Sequence, residues 1–238
     1  MDREEGLQVL ASRGWLAEAG RDFAAALLPL ARWRRYEPGE VLTLGGDERG
    51  DLIGLARGVV AFTSVLGRPE TPVMHMAPAV MWMGYGPALR DGARVVTAEA
   101  RTPVWAAVLQ GRRVQALVEA GTLDWRPFLA LIAEYGDVTA LMAADLLIRD
   151  SGARCAAVLG RFAGLRTPLT GAIPATVVPV TQSELAGACN LSRSVTGDIL
   201  RRMAEAGIIA TGYAGISIRD PEALLRLARG AAGPARPV

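Results

Sequence analysis

Lysine is absent from this chain. All 26 basic residues among its 238 are arginine. A phosphate-cradling G-x-x-x-x-G-K-[ST] loop is therefore impossible. Cysteine is nearly absent too. Cys155 and Cys189 are too few for a disulfide framework, a four-thiolate zinc site or a cysteine-ligated iron–sulfur cluster. They read as two reduced, partly buried thiols. The single histidine, His75, excludes a two-histidine metal site, and any Ser-His-Asp or Cys-His arrangement would have to use it. No nucleophile elbow is found, so a hydrolase reading rests on scattered Ser and Asp alone. Neither catalytic residues nor a metal site are expected. No run reaches 18 apolar residues, which predicts no membrane-spanning helix. The opening Met1-Asp2-Arg3-Glu4-Glu5 is acidic and lacks the apolar region of a signal peptide, so a cytoplasmic protein is expected.

What is present is a globular composition, 51% hydrophobic and 21% charged, long enough for one large domain or two ordinary ones. The net charge of +2 conceals an asymmetry. Residues 1–147 hold 15 Arg and 18 acids, net −3, whereas residues 148–238 hold 11 Arg and 6 acids, net +5. An acidic first part joined to a basic last part points to a nucleic-acid-facing C-terminal end.

Apolar residues over about 6–33 are spaced for one or two amphipathic helices. Between about 36 and 110, short β-type runs alternate with turns such as 45–47, Gly58 and 67–69, which predicts an antiparallel sandwich or roll. A long helix is predicted over 124–149. Phe128, Leu131, Tyr135, Val138 and Met142 recur at near-heptad steps and are the expected dimerisation seam. A further helix follows at about 153–163, then a Thr-, Pro- and Gly-rich loop or edge hairpin over 166–179.

Residues 180–218 carry the functional signal. Thr181-Gln182-Ser183-Glu184 fits a capping box opening a short helix. Asn190 suits a tight turn, Ser192 a second N-cap, and Gly207 the C-terminal stop of a helix over about 193–205. Thr196, Ile199, Leu200 and Met203 share that helix's inner face, and Arg193, Ser194, Gly197 and Arg201 its outer face. Two β-type runs then flank a four-residue tip at 212–215 that contains Tyr213. Helix-turn-helix followed by hairpin is a winged helix.

The segment from Val180 through Ile209 and the ending Ile216–Leu224 resemble the DNA-binding region of Crp/Fnr-type bacterial transcription regulators. Pro38-Gly39-Glu40, Gly45-Gly46-Asp47, Gly58 and the stretch 84–100 are similar to the glycine-punctuated cyclic-nucleotide-binding β-roll of that family. The likeness covers about residues 20–225. It implies an α+β fold with an effector-binding β-roll and N-terminal helices (1–123), a dimerisation helix (124–150) and a winged helix-turn-helix (151–238). It implies a homodimeric, sequence-specific regulator contacting double-stranded DNA through Thr181, Gln182, Ser183, Ser192, Arg193, Ser194, Gly197, Arg201 and Tyr213. RNA polymerase and a small-molecule effector are further candidate partners; no membrane is expected. The alternative is a small-molecule- or protein-binding module whose winged helix has lost specific DNA recognition.

Departures from the family pattern alter these expectations. Arg193 retains the fork for O6 and N7 of guanine, but Ser194 cannot accept from cytosine N4, and Asp198 puts an anion where the family has a cation. In the effector pocket Gly84 and Arg94 match the family cassette. Tyr85 replaces the carboxylate expected on a ribose hydroxyl, and Val95 the hydroxyl expected on the phosphate. Each lost polar partner costs about 1–3 kcal/mol, so useful cyclic AMP binding is not expected. His75 between Met74 and Met76 leaves haem as a minor cofactor option.

Overall fold

The computed structural model describes residues 2–48, 50–64, 72–89 and 92–230. The turn predicted at 67–69 lies outside these residues. Helices α1 (Arg3–Ser12), α2 (Gly14–Glu18) and α3 (Arg21–Leu27), with a 3₁₀ turn at Leu28–Leu30, precede an eight-stranded roll. Its strands are β1 (Arg32–Tyr36), β2 (Val41–Thr43), β3 (Asp51–Arg57), β4 (Val60–Ser64), β5 (His75–Ala77), β6 (Trp82–Met83), β7 (Val96–Ala100) and β8 (Val104–Gln110). A short helix α4 (Tyr85–Leu89) separates β6 from β7, and α5 (Gly111–Glu119) follows β8. Helix α6 (Arg126–Leu147) leads to α7 (Ser151–Phe162), strand β9 (Val177–Val178), α8 (Gln182–Ala188) and α9 (Arg193–Glu205). The hairpin β10 (Ile209–Gly212) and β11 (Gly215–Ile218) precedes α10 (Pro221–Ala228).

The roll consists of two antiparallel four-stranded sheets, ordered β1-β8-β3-β6 and β2-β7-β4-β5. This is the expected architecture, with one strand that periodicity does not reveal. The segment Arg32-Trp33-Arg34-Arg35-Tyr36 has no apolar run, yet it pairs with all of Val104–Val108. Its outer face is held by Trp33 stacked on Trp105, ring centroids 5.7 Å apart. Pairing partners supplied from far along the chain thus override the local helical reading.

Helix α6 is fastened to the roll along one side. Trp15, Phe23, Trp82 and Phe128 form an aromatic cluster with centroids 5.4–5.6 Å apart, in the offset and edge-on arrangements aromatic pairs favour. The Trp15 indole donates to the Pro127 carbonyl at 2.6 Å. About two turns on, the Tyr135 hydroxyl donates to the Trp82 carbonyl. Phe128, Leu131 and Val138 are buried in the chain's own core. Tyr135 and Met142 of the same stripe are half-buried. A second, outward heptad consists of Leu129, Ile132, Gly136, Thr139, Ala143 and Leu146, all exposed. Helix α6 is long and apolar enough, by length and composition only, to cross a membrane. Its alanines and leucines raise the mean hydropathy although Glu134 and Asp137 interrupt every long apolar run.

The last turn of α6 carries Asp145, which is fully buried. Its carboxylate accepts from Arg161 Nε of α7 at 2.8 Å and from Arg166 at 2.5 Å. Arg161 also donates to the Met74 carbonyl at 2.8 Å, and its Nη1 lies 3.3 Å from His75 Nδ1 in β5. One carboxylate thereby ties the long helix, the roll and the C-terminal region together. The same junction is apolar. Val59, Ala61, Val73 and Met76 of the roll share a core with Cys155, Leu159 and Phe162 of α7 and with Leu185, Ile199 and Met203 beyond. Burial, and secondarily the Arg161 charge, hold His75 far below its ordinary value of 6.5, at about 3.

Two predictions follow from this junction. Asp145→Ala leaves the Arg161 guanidinium buried without its counter-ion and should lower unfolding stability by about 3–5 kcal/mol. Leu147→Ala, at an 81% exposed position, should change it by less than about 0.5 kcal/mol; urea unfolding measures both. His75 is neutral in the fold down to about pH 3 but protonates near 6.5 when unfolded. The unfolded chain binds more protons in that window, so stability should fall as pH drops from 6.5 towards 3, by a total of a few kcal/mol. His75→Gln should flatten that slope in urea titrations at pH 7 and pH 4.

Candidate nucleic-acid interface and effector cavity

The C-terminal site is built from two capped helices. Thr181 Oγ1 accepts from the Glu184 amide at 3.2 Å, and Glu184 Oε2 accepts from the Thr181 amide at 2.9 Å, completing the capping box. Helix α8 ends at a turn in which Asn190 has a φ of 51°, a conformation that asparagine tolerates. Ser192 Oγ then accepts from the Val195 amide at 3.2 Å and starts α9. Thr196, Ile199, Leu200 and Met203 are buried beneath α9. Gly207, at a φ of 71°, terminates it.

The hairpin is tighter than expected. Gly212 pairs with Gly215, so the two glycines belong to the strands and only Tyr213 and Ala214 form the tip. Tyr213 is fully exposed. Strand β9 adds a third strand along β11, where the sequence suggested loop or edge hairpin.

A groove of about 620 Å³ runs between α9 and the hairpin. It gathers Thr181, Gln182, Gly197, Arg201 and Tyr213 of the predicted contact set. Ser183, Ser192, Arg193 and Ser194 lie outside its lining and are exposed at the helix starts. The Gln182 amide donates to the Arg193 carbonyl at 2.8 Å. It packs where a Cβ on residue 197 would sit, 2.5 Å away, which explains the glycine there. The Arg193 side chain has neither hydrogen bond nor ion pair among the described residues.

Two further features change the site. Arg201 is engaged on its own helix by Asp198 at 2.8 Å and Glu205 at 3.7 Å. The anion that departs from the family pattern therefore faces an arginine, and Arg201 is not a free cation. Arg101 of the roll was missed by sequence reasoning. It reaches across to Glu184 at 2.8 Å and borders the groove. No local pattern places an arginine between β7 and β8 beside a helix that begins some 80 residues later.

The second site is a cavity of about 490 Å³ in the roll. All four predicted effector residues, Gly84, Tyr85, Arg94 and Val95, line it, together with Thr43, Phe62, Met83, Val96 and Ile132. Gly84 has a φ of 86°, and a Cβ there would meet the Asp51 carbonyl at 2.1 Å and Arg94 at 2.8 Å. The bare backbone lets the Arg94 side chain pass beneath it to donate to the Asp51 carbonyl at 2.7 Å. Burial lowers the Arg94 pKa, partly offset by Asp51 and Asp47. The Tyr85 ring packs 4.8 Å from Tyr135 of α6, and burial raises the Tyr85 phenol. His75 is not on the cavity wall. It is enclosed by the Phe62 ring, 6.1 Å away, and by Arg161, so the residues present do not fit a haem ligated at His75. Among the described residues no group of three or more His, Cys, Asp or Glu could hold a metal ion. The Cys189 thiol is raised by its hydrogen bond with Cys155 and by burial, which keeps it in the unreactive thiol form.

An antiparallel β-roll joined through a long helix to a winged helix-turn-helix defines the architecture of this chain. Residues 153–227 match the Crp-like helix-turn-helix domain. The chain as a whole has the fold of Crp/Fnr-type transcription regulators. It is similar to a putative cyclic nucleotide binding protein from Ruegeria pomeroyi at 20% identity and TM-score 0.63, covering 96% of this chain and 99% of that one. A CRP-family transcriptional regulator from Thermus thermophilus matches at 24% identity and TM-score 0.58, over 85% and 100% of the two chains. FixK2 from Bradyrhizobium japonicum matches at 16% identity and TM-score 0.62, over 83% and 96%. At these identities the likeness is one of fold. No curated protein matches the chain in sequence.

The Asp198–Arg201 pair generates one prediction. Asp198→Asn removes the anion and the closer of the two carboxylates on Arg201, leaving only the longer contact with Glu205 to compete with phosphate. Non-specific DNA affinity should rise, and the slope of log K against log salt should steepen by about one. Fluorescence anisotropy across a salt series measures this.

Proposed function

We propose that this protein is a homodimeric, sequence-specific DNA-binding transcription regulator whose β-roll cavity takes an effector other than a cyclic nucleotide. The observation that carries the reading is Arg193: exposed, unpartnered and at the first turn of a capped recognition helix beside a wing. Its guanidinium is available for a bidentate contact with guanine. Thr181, Ser183, Ser192, Ser194 and Tyr213 supply hydrogen-bonding groups for the flanking backbone. Two recognition helices about 34 Å apart would read successive major grooves. The site of action is then the cytoplasm, with RNA polymerase as a downstream partner.

The division of labour we assign is sensing to 1–123, dimerisation to 124–150 and DNA binding to 151–238, with the last unit docked on the first through a shared core. The dimer forms along the outward heptad of α6. Gly136 has open space around it, which allows close approach of a partner helix, and Leu129, Ile132 and Leu146 supply apolar contacts. A helix partner suits this face better than lipid, because Glu134 and Asp137 on the same helix would cost about 2.5–3.5 kcal/mol each at mid-membrane. An effector would act by favouring one relative orientation of the two α6 helices. The rival reading, a binding module without specific DNA recognition, draws on Ser194 and on the Asp198–Arg201 pair.

Selection of bound fragments from genomic DNA, followed by mobility shift, tests the proposal. A defined site should emerge whose affinity falls about tenfold to a hundredfold on Arg193→Ala, with folding unchanged. Equal binding by wild type and variant would favour the rival. Leu129→Glu combined with Leu146→Glu should convert dimer to monomer in sedimentation equilibrium. The thermal melt of the chain should survive, since both positions are exposed.

A further inference from the structure

The effector reading above can be carried to the chemistry of the ligand. We propose that the roll cavity binds a small organic monoanion, a carboxylate on a compact apolar body, rather than a ligand carrying a sugar. The inference rests on the cavity being an effector site, and it follows from what lines the walls.

Phe62, Met83, Val95, Val96 and Ile132 make most of the cavity apolar. Among the described residues its one charged lining residue is Arg94, only 6% exposed. That guanidinium gives one of its five donors to the Asp51 carbonyl, an acceptor that neutralises no charge. Asp51 and Asp47 favour the cation from nearby, but neither lines the cavity. A buried cation facing an apolar space is poorly compensated, and an anionic head group is its natural complement.

The remaining polar side chains on the wall choose among anions. They are Thr43, itself buried, and the neutral phenol of Tyr85. No carboxylate or amide side chain lines the described cavity. A ligand with several hydroxyls or a polar base would enter with most of those groups unpaired. A carboxylate brings two oxygens, which the Arg94 fork and one hydroxyl can satisfy, and its hydrocarbon part matches the other walls. The volume of about 490 Å³ suits a small to medium ligand. Ile132 lies both on the cavity wall and on the outward heptad of α6. An apolar ligand body pressed against it would therefore report directly to the proposed dimer seam.

Isothermal titration of the full chain with benzoate, octanoate, benzyl alcohol and cyclic AMP tests the proposal. At least one of the two acids should bind, once per chain, and about tenfold or more tighter than the neutral alcohol and cyclic AMP. The two acids separate a flat aromatic body from a flexible alkyl one. Arg94→Gln should weaken the acid about tenfold or more. Val95→Trp fills the cavity from a 44% exposed position and should abolish binding with Arg94 intact, which keeps the test usable if the first variant is unstable. Failure of both acids, equal binding of the alcohol, tighter cyclic AMP or retention of acid affinity in Val95→Trp would each overturn it. A mobility shift run in parallel separates the two claims: intact DNA binding without acid binding overturns only the ligand class.

Discussion

A single buried carboxylate, Asp145, organises this molecule. A carboxylate without water must be matched by cations or it is strongly destabilising. Here the matching groups come from the neighbouring helix and the loop that follows it, Arg161 and Arg166, and Arg161 extends to the main chain and histidine of the roll. The long helix, the β-roll and the winged helix therefore meet at one electrostatic junction, backed by a common apolar core. That arrangement makes the roll and the winged helix of one chain a coupled pair. Relative motion of the two within one chain must break this junction.

The two functional sites differ in how they are held. The recognition surface is set by local rules, two N-caps, a left-handed asparagine and a glycine stop, so its shape belongs to the helix-turn-helix itself. Its electrostatics are not local in the same way. Asp198 and Glu205 occupy Arg201, and Arg101 arrives from the roll. Of the arginines grouped on α9, Arg193 is the one left without a partner. The cavity in the roll, by contrast, exists only because β6, α4, β7 and α6 converge. Its link to the long helix runs through Tyr85 against Tyr135 and through Ile132.

Much of this was legible in residue order. Alternating short runs between glycines implied the roll, and the heptad spacing implied the long helix. The capping box at Thr181–Glu184, the turn at Asn190 and the cap at Ser192 implied the winged helix. The errors have one origin. Strand β1 was hidden because Arg and Trp alternate without an apolar run, and only its pairing with β8 makes it a strand. The α6 stripe of Phe128, Leu131, Tyr135, Val138 and Met142 shows the same limit, because periodicity identifies an apolar stripe without saying what covers it. In the fold Phe128, Leu131 and Val138 are buried within the chain, and a second face is left outward.

The opening absences also acquire their meaning here. With no lysine and with Cys155 and Cys189 buried, the chemistry available to this chain is that of arginine forks, and the sequence by itself determined that much. It also determined the helix ends, the turn and the wing, because caps, glycines and strand propensity act within a few residues. Which arginine is free, which is neutralised and which is buried beside a cavity was decided by tertiary structure alone. A guanidinium's role depends on the carboxylates and the water within about 4 Å of it, and those neighbours come from distant parts of the chain: Asp145 for Arg161, Glu184 for Arg101, and the Asp51 carbonyl for Arg94.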